Sequence, residues 1–150
     1  MKVFKFLNLI LLIIFAQFIT SCSSDSSMKP EDFKDKKPRL IIEEYLAGEV
    51  KAWGILQNRS GKVTRQFSAT LNGKWDGTQL VLDETFNWDD GEIQDRQWKI
   101  NKIDEHNYEG TAGDVVGKAK GFSYGPAFKF EYVLLVPVKG KKMKITFDDW

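Results

Sequence analysis

From Glu49 onward, bulky apolar residues alternate with polar ones at a period of two, and glycine-bearing turn signals interrupt the run at short intervals. Strands that bury one face carry this pattern, whereas amphipathic helices repeat every three or four positions. The turns also propose registers. Read as a two-residue turn, Asp76-Gly77 pairs Trp75 with Thr78. The same register sets Leu71 opposite Leu82, Ala69 opposite Glu84 and Phe67 opposite Phe86. Gln66, Ser68, Thr70 and Asn72 then share the other face. A slip of one residue inverts every side chain, so the pattern tests itself.

The next turn, Asp89-Asp90-Gly91, pairs Trp88 with Glu92 when Gly91 takes the left-handed position. Leu82 then meets Trp98, Leu80 meets Ile100, and Glu84 meets Arg96. Both hairpins independently assign Leu80, Leu82, Glu84, Phe86 and Trp88 to one inner face. At the end of the chain, Lys139-Gly140 pairs Val138 with Lys141, Val136 with Met143, Leu134 with Ile145 and Tyr132 with Phe147, which sets Asp149 opposite Phe130. Val50 to Gln57 and the run from Val63 close over Arg59-Ser60-Gly61. Leu40 to Leu46 reads as a short helix, because Glu43 and Glu44 suit a buried strand poorly.

Gly113, Gly117, Gly121 and Gly125 recur every four residues. On a strand they share a face with Val115, Ala119 and Ser123, giving a wall of small groups. Asp114, Lys118 and Lys120 exclude a membrane helix built on that spacing. Close backbone approach or sharp curvature is the structural reading, and a wall left clear for a ligand is the functional one.

Lys2 and Lys5 precede an apolar run from Phe6 to Phe18, then small residues, then Cys22, the only cysteine. This is the layout of a secretory signal, and its core is shorter than the roughly 20 apolar residues of a membrane span. Ile19-Thr20-Ser21-Cys22 resembles a bacterial lipobox. The resemblance implies cleavage before Cys22, a diacylglycerol thioether on its sulfur and a further acyl chain on the new amino group. Two or more chains hold a protein stably at a bilayer. Ser23 after the cysteine resembles the pattern sent to the outer membrane, so the expected location is its periplasmic face. The expected organisation is a signal at 1–21, a flexible tether at 22–37 and a β-barrel-like domain at 38–150.

Loss of residues 1–21 removes Lys2 and Lys5 and takes the formal charge from +1 to −1. Nucleic acid is therefore not an expected partner, because it requires a concentrated basic face. With Cys22 spent on lipid, thiol and disulfide chemistry are absent, and a single histidine, His106, leaves little for a metal or triad site. No metal or cofactor is expected.

Several motifs together resemble a family of uncharacterised bacterial lipoproteins, domain of unknown function 3833. They are Gly54-Ile55, Ser60-Gly61, Trp75-Asp76-Gly77, Leu82-Asp83-Glu84, Asp90-Gly91-Glu92, Arg96-Gln97-Trp98, the glycine series to Gly125 and Phe147-Asp148-Asp149-Trp150. The resemblance covers the chain from about Leu40. It implies an antiparallel meander similar to lipocalin or calycin barrels. Members continue beyond the Asp-Asp-Trp motif, so this chain, stopping at Trp150, is expected to leave the barrel incomplete at its C-terminus.

Glu84 opposite Arg96, among Phe67, Phe86, Trp88 and Trp98, is the most specific polar feature. It reads as a buried ion pair that fixes packing. The second reading, behind that one, is a ligand site in which Arg96 meets an anionic headgroup and the aromatics hold an acyl chain or ring system. A third reading makes Glu84 and inward Asp149 an acid/base pair. Asp148 and Asp149, adjacent on a strand, point to opposite faces and chelate poorly together. Asp89, Asp90 and Glu92 read as turn chemistry, and Lys139, Lys141, Lys142 and Lys144 as a basic hairpin tip. The expectation is a non-enzymatic, lipid-anchored protein that binds a lipid or other amphiphile in envelope maintenance. The alternatives are a lipoprotein with a filled core docking on an envelope protein, and a small hydrolase using Glu84.

Overall fold

The computed structural model describes residues 27–138 and 140–150. Cys22, the segment 1–21 expected to be a signal, and Lys139 lie outside the described residues. Eight antiparallel strands form a single sheet whose spatial order is the chain order. They are β1 (Gly48–Gln57), β2 (Val63–Trp75), β3 (Gln79–Trp88), β4 (Ile93–Lys102), β5 (Asn107–Thr111), β6 (Ala119–Tyr124), β7 (Ala127–Val138) and β8 (Lys141–Asp149). The meander is all-β apart from a 3-10 turn at Pro30–Phe33 and the short helix α1 (Ile42–Tyr45), which falls inside the stretch expected to be helical.

Two hairpins have the expected register. Glu84 faces Arg96 and Leu82 faces Trp98 across β3–β4. Tyr132 faces Phe147 and Phe130 faces Asp149 across β7–β8. The β2–β3 hairpin differs by two residues: Trp75 pairs with Leu80, Leu71 with Glu84, Ala69 with Phe86 and Phe67 with Trp88. The cause is local. Asp76 Oδ1 accepts the Thr78 and Gln79 N–H groups at 2.8 and 2.7 Å, and Asp76 N–H donates to the Gln79 carbonyl at 3.2 Å. Asp76 thereby nucleates a four-residue loop in place of a two-residue turn. An even shift preserves the faces, so Phe67, Leu82 and Trp98 still point the same way.

The antiparallel meander is the expected one, and it is left open, as an incomplete barrel would be. β1 and β8 do not pair, so the sheet is not closed into a barrel. It nevertheless curls on itself, as sheet twist promotes, and Trp98 of β4 meets Phe130 and Tyr132 of β7 at ring-centroid distances of 4.9 and 5.3 Å. Inside the curl the packing is graded. Leu80, Leu82, Trp98, Ile100, Tyr108 and Phe130 are buried at one end, where α1 inserts Ile42. Burial of each such side chain contributes about 1.5–3 kcal/mol. Toward the β3–β4 turn, Phe67, Phe86 and Trp88 are only half-buried.

The glycine series is not one strand. Regular strand begins at Ala119, and 113–117 forms turns that reach β7 through Val116 N–H to the Val133 carbonyl at 2.8 Å. Gly125 serves close approach: it has φ +53°, and a Cβ there would run into the Phe33 carbonyl oxygen. Part of the stretch read as tether thus lies against the sheet. Leu40 N–H donates to the Gly125 carbonyl at 2.8 Å, and the Ser123 hydroxyl donates to the Leu40 carbonyl at 3.1 Å. This strap covers the packed end of the curl. The strap therefore lies opposite the half-open end.

Candidate functional site

The β3–β4 register brings Glu84 and Arg96 side by side, yet they do not form a direct salt bridge. Arg96 Nη2 donates instead to Asp114 Oδ2 at 2.7 Å. Asp114 comes from the turn-rich segment after β5, and no hairpin spacing relates it to Arg96. The expected Glu84–Arg96 pair is thus corrected to Arg96–Asp114, with Glu84 a charged neighbour of both. The Arg96 guanidinium lies 5.9 Å from the ring centroids of Phe86 and Trp98, between the aromatic end and the packed end.

Burial pushes the Glu84 carboxyl up to about 7. The Arg96 charge and the Trp98 indole favour the anion, but they do not offset desolvation, and Asp149 and Asp114 add repulsion. Tyr132 O–H donates to Asp149 Oδ2 at 2.6 Å. Although Asp149 as a residue is exposed at the free edge of β8, burial of its carboxyl raises it above the ordinary range, against Tyr132 and Arg96. Burial and Asp149 together raise the Tyr132 phenol. The interior thus collects Glu84, Asp114 and Asp149 around one guanidinium that Asp114 already pairs, so Arg96 is not the unpaired cationic centre that an anionic headgroup needs.

Phe67, Phe86 and Trp88 meet as a trio, with Phe67 5.2 Å from each of the other two. Trp88 N–H donates to Gln94 Oε1 at 3.3 Å. Arg65 covers the Trp88 ring at 4.0 Å and is held by Asp90 and Glu92 at 2.7 and 2.8 Å. Sequence reading missed Arg65, although its two-residue spacing from Phe67 marked the shared face. It also missed Tyr132 as the partner of Asp149, though their strands were paired correctly. Asp90 and Glu92 serve Arg65 and the turn, as turn chemistry implied.

A second polar group sits in the packed end. Glu43 of α1 is 6 % exposed and accepts from Lys102 Nζ and from Tyr108 O–H, the latter at 2.9 Å. Burial raises its carboxyl, but the hydrogen bonds from Lys102, the backbone and Tyr108 outweigh that effect, and the net direction is down. Among the described residues no group of three or more His, Cys, Asp or Glu side chains is placed to hold a metal ion.

Beside Arg96 the wall itself is interrupted. β5 pairs with β4 only over Lys99–Lys102, which leaves Ile93–Trp98 without a strand on that side among the described residues. A cleft of about 600 Å³ opens there, between β4 and Thr111–Asp114.

The sequence matches, over residues 16–150, a family described as protein of unknown function (DUF3833). The chain belongs to this family. The match spans the whole sheet and the strap that covers its packed end. No curated protein and no solved structure matches the chain.

Proposed function

We propose that this DUF3833 member is a lipid-anchored protein of the periplasmic face of the outer membrane that binds a lipid or other amphiphile non-enzymatically. The observation that carries the reading is the grading of the interior. One end is filled and capped by α1, whereas the other holds a half-buried trio of Phe67, Phe86 and Trp88 beside charged Arg96, Asp114 and Glu84. Apolar walls with a few convergent polar groups suit an amphiphile. Anchoring rests on the signal-like N-terminus and Cys22, and the strap, held at the packed end through Phe33 and Leu40, leaves the aromatic end uncovered by it.

Native mass spectrometry of the full chain, extracted from membranes, tests binding. A co-purifying amphiphile mass that Trp88→Ala reduces at least tenfold is expected. A bare protein mass would overturn the reading. It would favour the second one, a lipoprotein with a filled core that docks on an envelope protein, to which the packing around Trp98 and Phe130 lends support. The anchor has its own test: Cys22→Ala should move the protein from the membrane fraction to the soluble fraction.

A further inference from the structure

We propose that the break in the wall between β4 and Thr111–Asp114 receives the headgroup of the bound amphiphile, and that this headgroup is zwitterionic. The inference rests on the amphiphile reading above.

The cleft passes through the sheet. Gln94 and Arg96 belong to the inner face of β4, while Asp95, Gln97 and Lys99 belong to its outer face, and residues of both sets line it. Its β4 side is an unused ladder edge. Bonds from Trp88 N–H to the Glu92 carbonyl and from Lys102 N–H to the Thr78 carbonyl fix the even-numbered residues of β4 as those bonded to β3. The odd residues Ile93, Asp95 and Gln97 therefore turn their N–H and C=O groups toward the gap, where no backbone partner meets them among the described residues. Strand β5 stops short, and the segment after it bonds to β7 instead, through Leu135 N–H to the Asp114 carbonyl at 3.2 Å.

The charges decide the chemistry. Lys99 and Arg96 bring two positive groups to the cleft, and Asp95 and Asp114 bring two negative ones. Arg96 is already neutralised by Asp114, and Glu84 and Asp149 stand behind it. A headgroup that is only anionic meets these carboxylates, and one that is only cationic meets the guanidinium and Lys99. A headgroup carrying phosphate and ammonium finds an opposite charge for each. The Arg96–Asp114 pair also leaves one donor and one acceptor unused, because Arg96 Nε and Asp114 Oδ1 are buried without hydrogen-bond partners among the described residues. Buried polar groups normally find partners, and a headgroup that parts the pair supplies both. A tail leaving this position inward reaches the Phe86 ring, 5.9 Å from the Arg96 guanidinium, and then Phe67 and Trp88.

Three probes sharing one palmitoyl chain separate the possibilities: lysophosphatidylethanolamine, lysophosphatidylglycerol and monopalmitoylglycerol. Each is titrated against the full chain by tryptophan fluorescence. The ethanolamine lipid is expected to bind at least tenfold more tightly than the glycerol phospholipid. Asp114→Asn should erase most of that preference, chiefly by weakening the ethanolamine lipid. Should Asp114→Asn compromise folding, Gly113→Phe provides the second variant. Gly113 lines the cleft and a Cβ there meets nothing within 4 Å, so the position accepts a side chain, and a ring is chosen to narrow the cleft. It should remove the preference while the circular dichroism spectrum is retained. Equal or tighter binding of the glycerol phospholipid, or a preference unchanged in Gly113→Phe, overturns the headgroup assignment alone. Failure of all three lipids to bind overturns the amphiphile reading, and this inference with it.

Discussion

Glu43 and Glu84 are both drawn into the interior of one sheet, and their carboxyls move in opposite directions. Glu43, in the packed end, is engaged by Lys102 and Tyr108 and is held below the ordinary carboxylate range. Glu84, toward the half-open end, has a cation nearby but no direct salt bridge, and burial raises it to about 7. Desolvation acts on both. Direct partners decide the outcome. The lesson is that one end is finished as a core, while the other keeps polar groups with capacity to spare, as a binding surface requires.

The largest expected effect lies in the finished end. Trp98 is 4 % exposed and touches Phe130 and Tyr132, so Trp98→Ala should cost about 3–5 kcal/mol in denaturant unfolding. The half-buried Trp88 should cost clearly less on the same substitution, and equal losses would abolish the contrast between the two ends.

Glu43→Ala comes next, at about 3 kcal/mol, because it strands Lys102 and the Tyr108 hydroxyl beneath α1. The Glu43 carboxyl is lowered in the folded state. Its contribution is therefore present above pH 4.5 and is lost as pH falls through the folded value. Wild-type stability should drop there more steeply than that of the variant.

Glu84→Gln should do the reverse. A raised carboxyl leaves stability whole below pH 4.5 and erodes it as pH rises through about 7. The variant should match wild type near pH 4.5 and gain up to about 3 kcal/mol at pH 8, read as a higher Tm. A loss of stability at pH 8 would show that the Glu84 anion is a structural partner after all.

Gly73→Ala should cost about 1–3 kcal/mol, since a Cβ there runs into the Leu46 carbonyl oxygen behind α1. The smallest effect belongs to Arg39→Ala. Its pair with Glu105 is exposed on both sides, and a change above about 1 kcal/mol would mean that the strap matters more than its surface ion pair.

Much of this was legible in the chain. Alternation placed Phe67, Leu82 and Trp98 on one face, and the Asp89–Gly91 turn fixed Glu84 against Arg96. The β2–β3 hairpin was read two residues out because the Asp76 side chain builds a longer loop than its dipeptide signals. Even so, the faces held, since the error was even. Pairing in the ladder did not reveal pairing of side chains. Adjacency put Glu84 beside Arg96, but the guanidinium reaches across the break in the wall to Asp114. The glycine series announced close approach without saying which backbone would approach, and for Gly125 it was that of Phe33.

The sequence by itself determined the meander, the buried face and the registers of the β3–β4 and β7–β8 hairpins. These follow from period-two patterning and turn chemistry, which act between residues close along the chain. Tertiary structure alone decided that the sheet curls until Trp98 meets Phe130 and Tyr132, that β5 stops short beside β4, and that Asp114 captures Arg96. Those outcomes depend on curvature and on meetings between distant segments, and their energies appear only once the sheet has folded over its own interior.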